Sequence, residues 1–178
     1  MSRRVLWIAA AFAGAIAAVA IVAPFFLSPS TRAAGPAGLA GETAPVFQLK
    51  ADTGETVSLA NDRGQVVVLN LWATWCPPCR AEMPELQRLA EEERHRGIAV
   101  IGVNEGESAQ TARAFARSLH IDYPIWMDDR QQYGRAFTAL GLPTTVVVGR
   151  DGNVVRGYDG ALTYEQLRAA ISGLTASR

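Results

Sequence analysis

The only two cysteines of the chain, Cys76 and Cys79, are three positions apart and enclose Pro77 and Pro78. A disulfide between residues so close in sequence closes almost no loop, so it would restrict the unfolded chain little and add little stability. Thiol–disulfide exchange, in contrast, needs one thiolate that attacks a disulfide sulfur and a second thiol that resolves the product. The spacing therefore indicates redox chemistry and not a structural crosslink.

The cysteines follow a strand and open a helix. Residues 65–72, QVVVLNLW, form a continuous apolar, β-branched run, which predicts a strand covered on both faces. Residues 77–94 have helical spacing, with apolar residues on one side and acids and arginines on the other. Cys76 thus lies at the helix start, where the dipole and the unpaired N–H groups favour a charged sulfur.

The two prolines suit the first turn of this helix. A proline is tolerated there because its missing N–H would have no intrahelical partner. With these donors absent, the Cys79 amide is the nearest candidate to reach the Cys76 sulfur. Fixed φ angles also hold the sulfurs within disulfide range with less entropy to lose. The motif presets one reactive thiolate and its resolving partner.

The remaining pattern alternates strands and helices. Further strands are predicted at 46–49, 56–58, 98–103, 125–127, 144–148 and 154–158, and further helices at 108–119, 130–139 and 163–172. Buried strands joined by helices favour parallel neighbours, and Arg-Asp-Gly-Asn at 150–153 predicts an antiparallel hairpin. We expect an α/β fold with a central mixed β-sheet flanked by helices and an N-terminal β-hairpin extension.

The N-terminus differs in kind from the rest. Arg3 and Arg4 precede an uncharged run from Val5 to Leu27, and about 20 apolar residues suffice to cross a bilayer as a helix. Since positive residues stay in the cytoplasm, we expect residues 1–27 to form a cytoplasmic tip and a single-pass inner-membrane anchor. A signal peptide cleaved near residues 37–40 is the alternative.

The exported part divides into a tether and a domain. Residues 28–41, SPSTRAAGPAGLAG, are too poor in large apolar side chains to fold and predict a flexible linker. Residues 42–178 then form one domain of ordinary size, in a periplasm that permits disulfides. The 17 basic and 17 acidic residues balance, so nothing indicates a nucleic-acid partner.

Trp-Cys-Pro-Pro-Cys between a strand and a helix resembles the thioredoxin superfamily. The longer segment LNLWATWCPPCRAEMP, residues 69–84, resembles its membrane-anchored TlpA/ResA/CcmG-type thiol–disulfide reductases. Pro84, the GLPTT segment at 141–145 and the segment from Gly102 to Glu107 agree with that family, over residues 43 to 175 in all. The resemblance implies a thioredoxin-like fold.

The resemblance also implies roles at the catalytic site. Cys76 would attack a substrate disulfide and Cys79 would resolve the mixed disulfide. Asn70 occupies the place of thioredoxin's buried Asp and cannot take a proton, so Glu82 would accept the proton of Cys79. A glutamate in a first helical turn is also favoured by the helix dipole alone, so its spacing leaves the role open.

A substrate surface is expected around the cysteines. Pro143 would be cis, and with Leu142 it would leave a backbone edge with which an extended substrate segment pairs. Trp75 would be a partly exposed rim against which substrate packs, beside Pro77 and Pro78, whereas Trp72, at the end of the strand, would be core.

The resemblance further implies partners. Clients would be disulfide-bonded proteins, foremost apocytochrome c, whose CxxCH cysteines must be reduced before haem attachment. Electrons would come from a membrane dithiol carrier of the DsbD/CcdA type, which the tether keeps near the domain. We expect a monomer with no cofactor beyond the redox-active disulfide, although an oxidase direction stays open because the reduction potential decides it.

Three other functions use similar motifs. A zinc site would need His95 or His120, but His95 lies roughly 24 Å from Cys79 along the predicted helix. A copper(I) site, or a thiol reductase for copper-site assembly in cytochrome oxidase, suits two thiolates better. A peroxiredoxin-type peroxidase shares the fold, but its attacking cysteine sits in a Pro-x-x-x-Thr/Ser-x-x-Cys setting that Ala73-Thr74-Trp75 does not match.

Overall fold

Seven strands and four α-helices make up the part of the chain that the computed structural model describes, residues 36–174. The strands are β1 (Leu49–Ala51), β2 (Thr56–Val57), β3 (Val66–Trp72), β4 (Ile98–Glu105), β5 (Ile125–Asp128), β6 (Thr144–Val148) and β7 (Val154–Asp159). The helices are α1 (Pro77–Glu93), α2 (Ala109–Ser118), α3 (Gln132–Ala136) and α4 (Tyr164–Ala170). The strands form one sheet in the order β2-β1-β5-β4-β3-β6-β7.

Strand β3 lies within the sheet, buried along its entire length. It runs parallel to β4, from Val66 opposite Ile98 to Trp72 opposite Asn104, and antiparallel to β6 on its other side. Because both faces are covered, every position carries a side chain that tolerates burial, as the continuous apolar run predicts. Its carboxyl end leads into the loop that carries Cys76.

Helix α1 packs one face onto the sheet. Cys76 is its N-cap residue, prolines occupy its first two positions, and Gly97 adopts a left-handed φ of 72° beyond its end. The buried residues of the helix are Cys79, Glu82, Met83, Leu86, Gln87, Leu89 and Glu93. The predicted apolar side is therefore the packed side, and a glutamate is buried within it.

The sheet separates two apolar clusters. The cluster on the α1 side contains both cysteines and the side chains of Val66, Val68, Trp72, Met83, Leu86, Ala112 and Leu167. The cluster on the α3 side contains Val67, Leu69, Leu71, Ile101, Val103, Tyr133 and Phe137. Successive residues of a strand point to opposite faces, so β3 contributes alternate side chains to each cluster.

Two predicted elements differ from the structure in extent. The N-terminal hairpin is present, with β1 antiparallel to β2 and also to β5, but its first strand covers Leu49–Ala51 and not the predicted 46–49. Helix α3 is shorter than the predicted helix over 130–139. Gln131 and Thr138 have left-handed φ angles of 51° and 53°, which a right-handed helix cannot contain, so they bound the helical segment.

The packed fold begins earlier than the composition predicts. A short 3₁₀ helix, Pro36–Leu39, buries Pro36, and the Gly41 N–H donates to the Val154 carbonyl at 2.7 Å. Gly157 of β7 makes room for this segment, since a Cβ there would lie 2.5 Å from the Pro36 carbonyl carbon. Residues 36–41 of the predicted linker thus pack against the sheet.

The predicted membrane anchor, residues 1–27, and residues 28–35 of the predicted linker lie outside the described residues. Among residues 36–174, no helix combines the length and the apolar character that crossing a membrane requires.

Close packing around Gly102 gives a first prediction. A Cβ at this position would lie 2.9 Å from both Trp72 Nε1 and Tyr123 Cε2, and both rings are buried. We expect Gly102→Ala to lower the free energy of unfolding by roughly 1–3 kcal/mol because the rings must shift. Urea unfolding of the full-length chain measures the change.

Gly141→Ala is the matched control, because a Cβ at Gly141 meets no atom within 4 Å. This variant should unfold within about 0.5 kcal/mol of the unaltered chain. Equal stability of the two variants would show that the rings around Gly102 yield freely.

Candidate active site

The two cysteines form a disulfide at the start of α1. Their Cα atoms are 5.3 Å apart, and Cys76 keeps 2% of its surface exposed against 0% for Cys79. The Cys79 N–H donates to Cys76 Sγ at 3.2 Å, which confirms the prediction drawn from the missing proline donors. Pro77 and Pro78 are exposed beside the sulfurs. The first turn of the helix therefore solvates the Cys76 sulfur with its own backbone.

A carboxylate holds the loop that precedes Cys76. Glu107 accepts hydrogen bonds from the Thr74 backbone N–H at 2.8 Å and from the Thr74 hydroxyl at 2.6 Å, and the Asn104 side chain donates to it at 2.8 Å. Although burial raises the pKa of Glu107, the hydrogen bonds from Thr74 and Asn104 outweigh it and lower the pKa below its ordinary value. Glu107 thus stays ionised, and its hydrogen bonds hold Thr74 in the loop that leads to Cys76.

Glu82 is the buried acid of the site. Only 1% of its surface is exposed. Its Oε2 accepts from Asn70 Nδ2 at 2.9 Å, and its Oε1 accepts from the Leu162 N–H at 2.9 Å. The Thr145 hydroxyl lies 3.5 Å from Oε1 and itself accepts from Asn70 Nδ2 at 2.9 Å. Strand β3, strand β6 and the loop before α4 therefore all contribute hydrogen-bond partners to this one carboxyl group.

Burial raises the pKa of Glu82 to about 7, although the Leu162 N–H, Asn70 and Thr145 favour the charged form and lower it. The carboxyl can therefore take up and release a proton near neutral pH. Cys79 precedes Glu82 by three residues on the same buried face of α1, which is the spacing at which helical side chains are neighbours.

Two polar atoms near this carboxyl have no hydrogen-bond partner within residues 36–174: Asn70 Oδ1 and the Tyr123 hydroxyl. Burial, and next the charge of Glu82, raise the pKa of Tyr123, so the phenol stays protonated. Asn70, which replaces an acid in this fold family according to the resemblance, thus supports Glu82 as a donor and adds no second titrating group.

The segment before β6 leaves part of its backbone unpaired. The Leu142–Pro143 peptide bond is cis, as expected. The Pro143 carbonyl accepts from the Gly160 N–H at 2.8 Å, and the Thr144 hydroxyl donates to the Gly141 carbonyl at 2.7 Å. Within the described part of the chain the backbone of Leu142 has no such partner, so its edge is free to pair.

The two tryptophans have the expected environments. Trp75, before Cys76, is 67% exposed, whereas Trp72 is fully buried and stacks on Phe115 with ring centroids 5.9 Å apart. Leu140, on the segment before Pro143, is 71% exposed. An apolar surface thus borders the disulfide.

The site also contains residues that the sequence did not single out. Thr74, Thr145 and the Leu162 backbone N–H contact the acids of the site, yet each belongs to an ordinary turn or strand pattern. Thr145 had the strongest signal, since it is two residues beyond Pro143 in the segment that carries the resemblance.

Comparisons with known proteins agree with this geometry. Residues 40–156 match the AhpC/TSA family. The chain is 34% identical over 128 residues to the thiol-disulfide oxidoreductase ResA of Halalkalibacterium halodurans, which covers 72% of this chain and 73% of that protein. It is 32% identical over 123 residues to ResA of Bacillus subtilis, covering 69% of each.

Solved structures share the fold. The thiol:disulfide interchange protein DsbE from Chlorobium tepidum superposes with a TM-score of 0.68 at 29% identity, covering 75% of this chain and 98% of that one. StoA from Bacillus subtilis gives 0.63 at 26% identity, covering 72% and 98%. These matches confirm the predicted thioredoxin-like fold, and the chain belongs to the TlpA/ResA/CcmG-type thiol–disulfide oxidoreductases within the AhpC/TSA family.

Proposed function

We propose that this thiol–disulfide oxidoreductase works outside the cytoplasmic membrane as a reductase of protein disulfides, with apocytochrome c as its main client. The observation that carries the proposal is the Cys76–Cys79 disulfide with a buried carboxyl, Glu82, one helical turn beyond it. The pKa of this carboxyl is about 7. This arrangement supplies an attacking sulfur, a resolving sulfur and a proton acceptor on one rigid helix.

The exchange needs the dithiol form of the pair. The Cys76 thiolate attacks one sulfur of the client disulfide, the client S–S bond breaks, and the other client sulfur leaves as a thiolate that takes a proton from water. Cys79 then loses its proton and attacks Cys76 Sγ. The mixed disulfide breaks, the second client thiolate leaves, and the Cys76–Cys79 disulfide closes. Two electrons pass from the protein to the client.

Each sulfur has a distinct environment for its step. Cys76 caps the helix, where the Cys79 N–H and the helix dipole favour its thiolate. Cys79 is fully buried, and burial in apolar surroundings disfavours its thiolate. Glu82 offsets this by accepting the proton, directly or through water, because its pKa of about 7 lies close to the ordinary thiol value of about 8.5.

The client segment would lie against the surface around the disulfide. Trp75, Pro77 and Pro78 are exposed there and provide apolar contact. An extended client segment would pair with the free backbone edge of Leu142, next to Pro143. Main-chain pairing tolerates many sequences, which suits an enzyme that must reach cysteines in a nascent or unfolded client.

Direction and location complete the proposal. The reduction potential sets the direction of exchange, and the resemblance to TlpA/ResA/CcmG-type reductases supports reduction. A membrane dithiol carrier of the DsbD/CcdA type would return the disulfide to the dithiol form. The apolar run at residues 5–27 supports an inner-membrane anchor with the redox domain in the periplasm, close to that carrier and to haem attachment.

Trapping the mixed disulfide tests the client. With Cys79→Ser, the resolving thiol is absent, so the client should remain linked to Cys76. We expect non-reducing electrophoresis and mass spectrometry to recover apocytochrome c from cells that express the variant. The double variant Cys76→Ser/Cys79→Ser is the control and should recover nothing. If Cys79→Ser yields no linked protein while a known reductase traps one in parallel, the proposal is wrong.

Glu82→Gln tests the proton acceptor. An amide cannot take the Cys79 proton, so single-turnover reduction of a protein disulfide should slow by about 10²-fold at pH 7. For the unaltered chain the rate should rise as the pH passes the Glu82 pKa of about 7, and this inflection should vanish in the variant. Glu91→Gln, an exposed acid on the same helix, is the control. An unchanged pH profile for Glu82→Gln would refute the role.

The raised pKa of Glu82 also predicts that the difference in stability between the unaltered chain and Glu82→Gln depends on pH. The folded chain holds the Glu82 proton to about pH 7, whereas an unfolded chain releases it near 4.5. Ionisation thus opposes folding, and stability falls as the pH rises between these values. Between pH 4 and pH 8, the free energy of unfolding of the unaltered chain in its disulfide form should fall by on the order of 3 kcal/mol more than that of Glu82→Gln. Urea unfolding at both pH values measures this; parallel curves would contradict the raised pKa.

A further inference from the structure

A cavity opens beside the loop that carries the disulfide, next to helix α3. Its volume is about 430 Å³, and it lies between Trp75, helix α3 and the segment that ends at Leu142. These two residues directly precede Cys76 and Pro143 in the chain, so the cavity adjoins the place where a client disulfide must bind. None of the steps proposed above uses it.

Glu105 supplies the buried charge of this cavity. It ends β4, only 6% of its surface is exposed, and it lines the cavity together with Gly134 and Arg135 of α3. The Gly134 N–H donates to its carboxylate. The second oxygen, Oε1, is buried without a hydrogen-bond partner in the described part of the chain. A buried acceptor with no partner is costly, and a ligand that donates a hydrogen bond would satisfy it.

The absence of a side chain at Gly134 keeps this carboxylate accessible from α3. A Cβ there would lie 3.1 Å from Glu105 Oε2 and 3.8 Å from Oε1. The helix therefore approaches Glu105 with backbone alone, which leaves the space beside the carboxylate to the cavity.

The charges around Glu105 favour a cation. Asp128 lies opposite it on the neighbouring strand β5, and Arg135 on α3 is exposed and makes no ion pair within residues 36–174. Burial, and next the charge of Asp128, raise the pKa of Glu105 to about 7, while the Gly134 N–H and Arg135 lower it. Asp128 and Arg135 thus act on Glu105 in opposite directions, and a cation bound beside the Glu105 carboxyl would favour its ionised form.

We propose that this cavity is a specificity subsite that takes a basic side chain, lysine or arginine, from the client segment beside the cysteine under attack. The inference rests on the proposed function, because it needs a protein disulfide bound at Cys76. The methylene stem of such a side chain would pack against Trp75 and Leu142, while its charged end donates to the Glu105 carboxylate. Trp75 would also present its ring face to the cation.

The surface around the cavity entrance favours a side chain of the client, and not a free small molecule, as the occupant of the cavity. Trp75 is 67% exposed and Leu140 is 71% exposed, and exposed apolar groups beside a polar cavity mark a surface that a polypeptide covers. An extended segment that pairs at Leu142 points alternate side chains toward the protein, so one of them reaches the cavity.

Peptide substrates with a single variable position test the subsite. The full-length chain is given synthetic peptides whose one cysteine is disulfide-linked to a thiol reporter, with lysine or the uncharged norleucine at each of three positions on either side. A small-molecule dithiol returns the chain to its dithiol form after each turnover, and the direct reaction of that dithiol with each peptide is subtracted. We expect lysine to raise kcat/KM by about tenfold at one position, the effect of a hydrogen bond to a charged group, and arginine to act alike.

Two variants identify the groups responsible. Glu105→Gln should bring the lysine-to-norleucine ratio at that position to about 1, because the attraction between charges is lost. Arg135→Gln should raise the ratio, since a competing cation is removed. Glu91→Gln, far along α1 and exposed, is the control and should leave the ratio as it is.

The outcomes separate the subsite from the proposed function. If the chain reduces all peptides with equal kcat/KM, the subsite inference is wrong while the reductase function stands. If it reduces no peptide, the proposed function itself fails. A lysine preference that persists in Glu105→Gln would place the recognition elsewhere and would also overturn the inference.

Discussion

A carboxyl group buried inside an apolar helix face is the constraint around which this site is organised. Glu82 replaces what could be another leucine on the packed side of α1, and burying a charge is unfavourable unless hydrogen bonds compensate. The compensation comes from Asn70 on β3, Thr145 on β6 and the Leu162 backbone. These bonds fall short of cancelling the burial effect, so the carboxyl stays near the point where it changes charge.

The same hydrogen bonds connect the parts of the fold that exchange requires. Asn70 lies on β3, six residues before Cys76, and Thr145 lies on β6, two residues after Pro143. Holding one carboxyl between these strands fixes the cysteine loop relative to the segment that contains the cis Leu142–Pro143 bond. The carboxyl proposed to accept the Cys79 proton thus also ties the cysteine loop to the proposed substrate surface.

The sequence predicts the elements of this site better than their contacts. Strand β3 and helix α1 carry long, unbroken patterns, and the two prolines foretell the hydrogen bond from the Cys79 amide to Cys76. The partners of Glu82 lie 12, 63 and 80 positions from it, and no local pattern encodes such distances. Helix α3 was predicted too long because nothing in its composition reveals the left-handed backbone at Gln131 and Thr138.

Two buried acids, Glu82 and Glu105, lie on opposite faces of the sheet. Glu82 lies on the α1 face with the cysteines. There, its carboxyl would take up the proton that the Cys79 thiol releases. Glu105 belongs to the alternate residues of β4 that face α3, with Ile101 and Val103. The proposed client subsite and the proposed proton acceptor thus occupy different faces of one sheet.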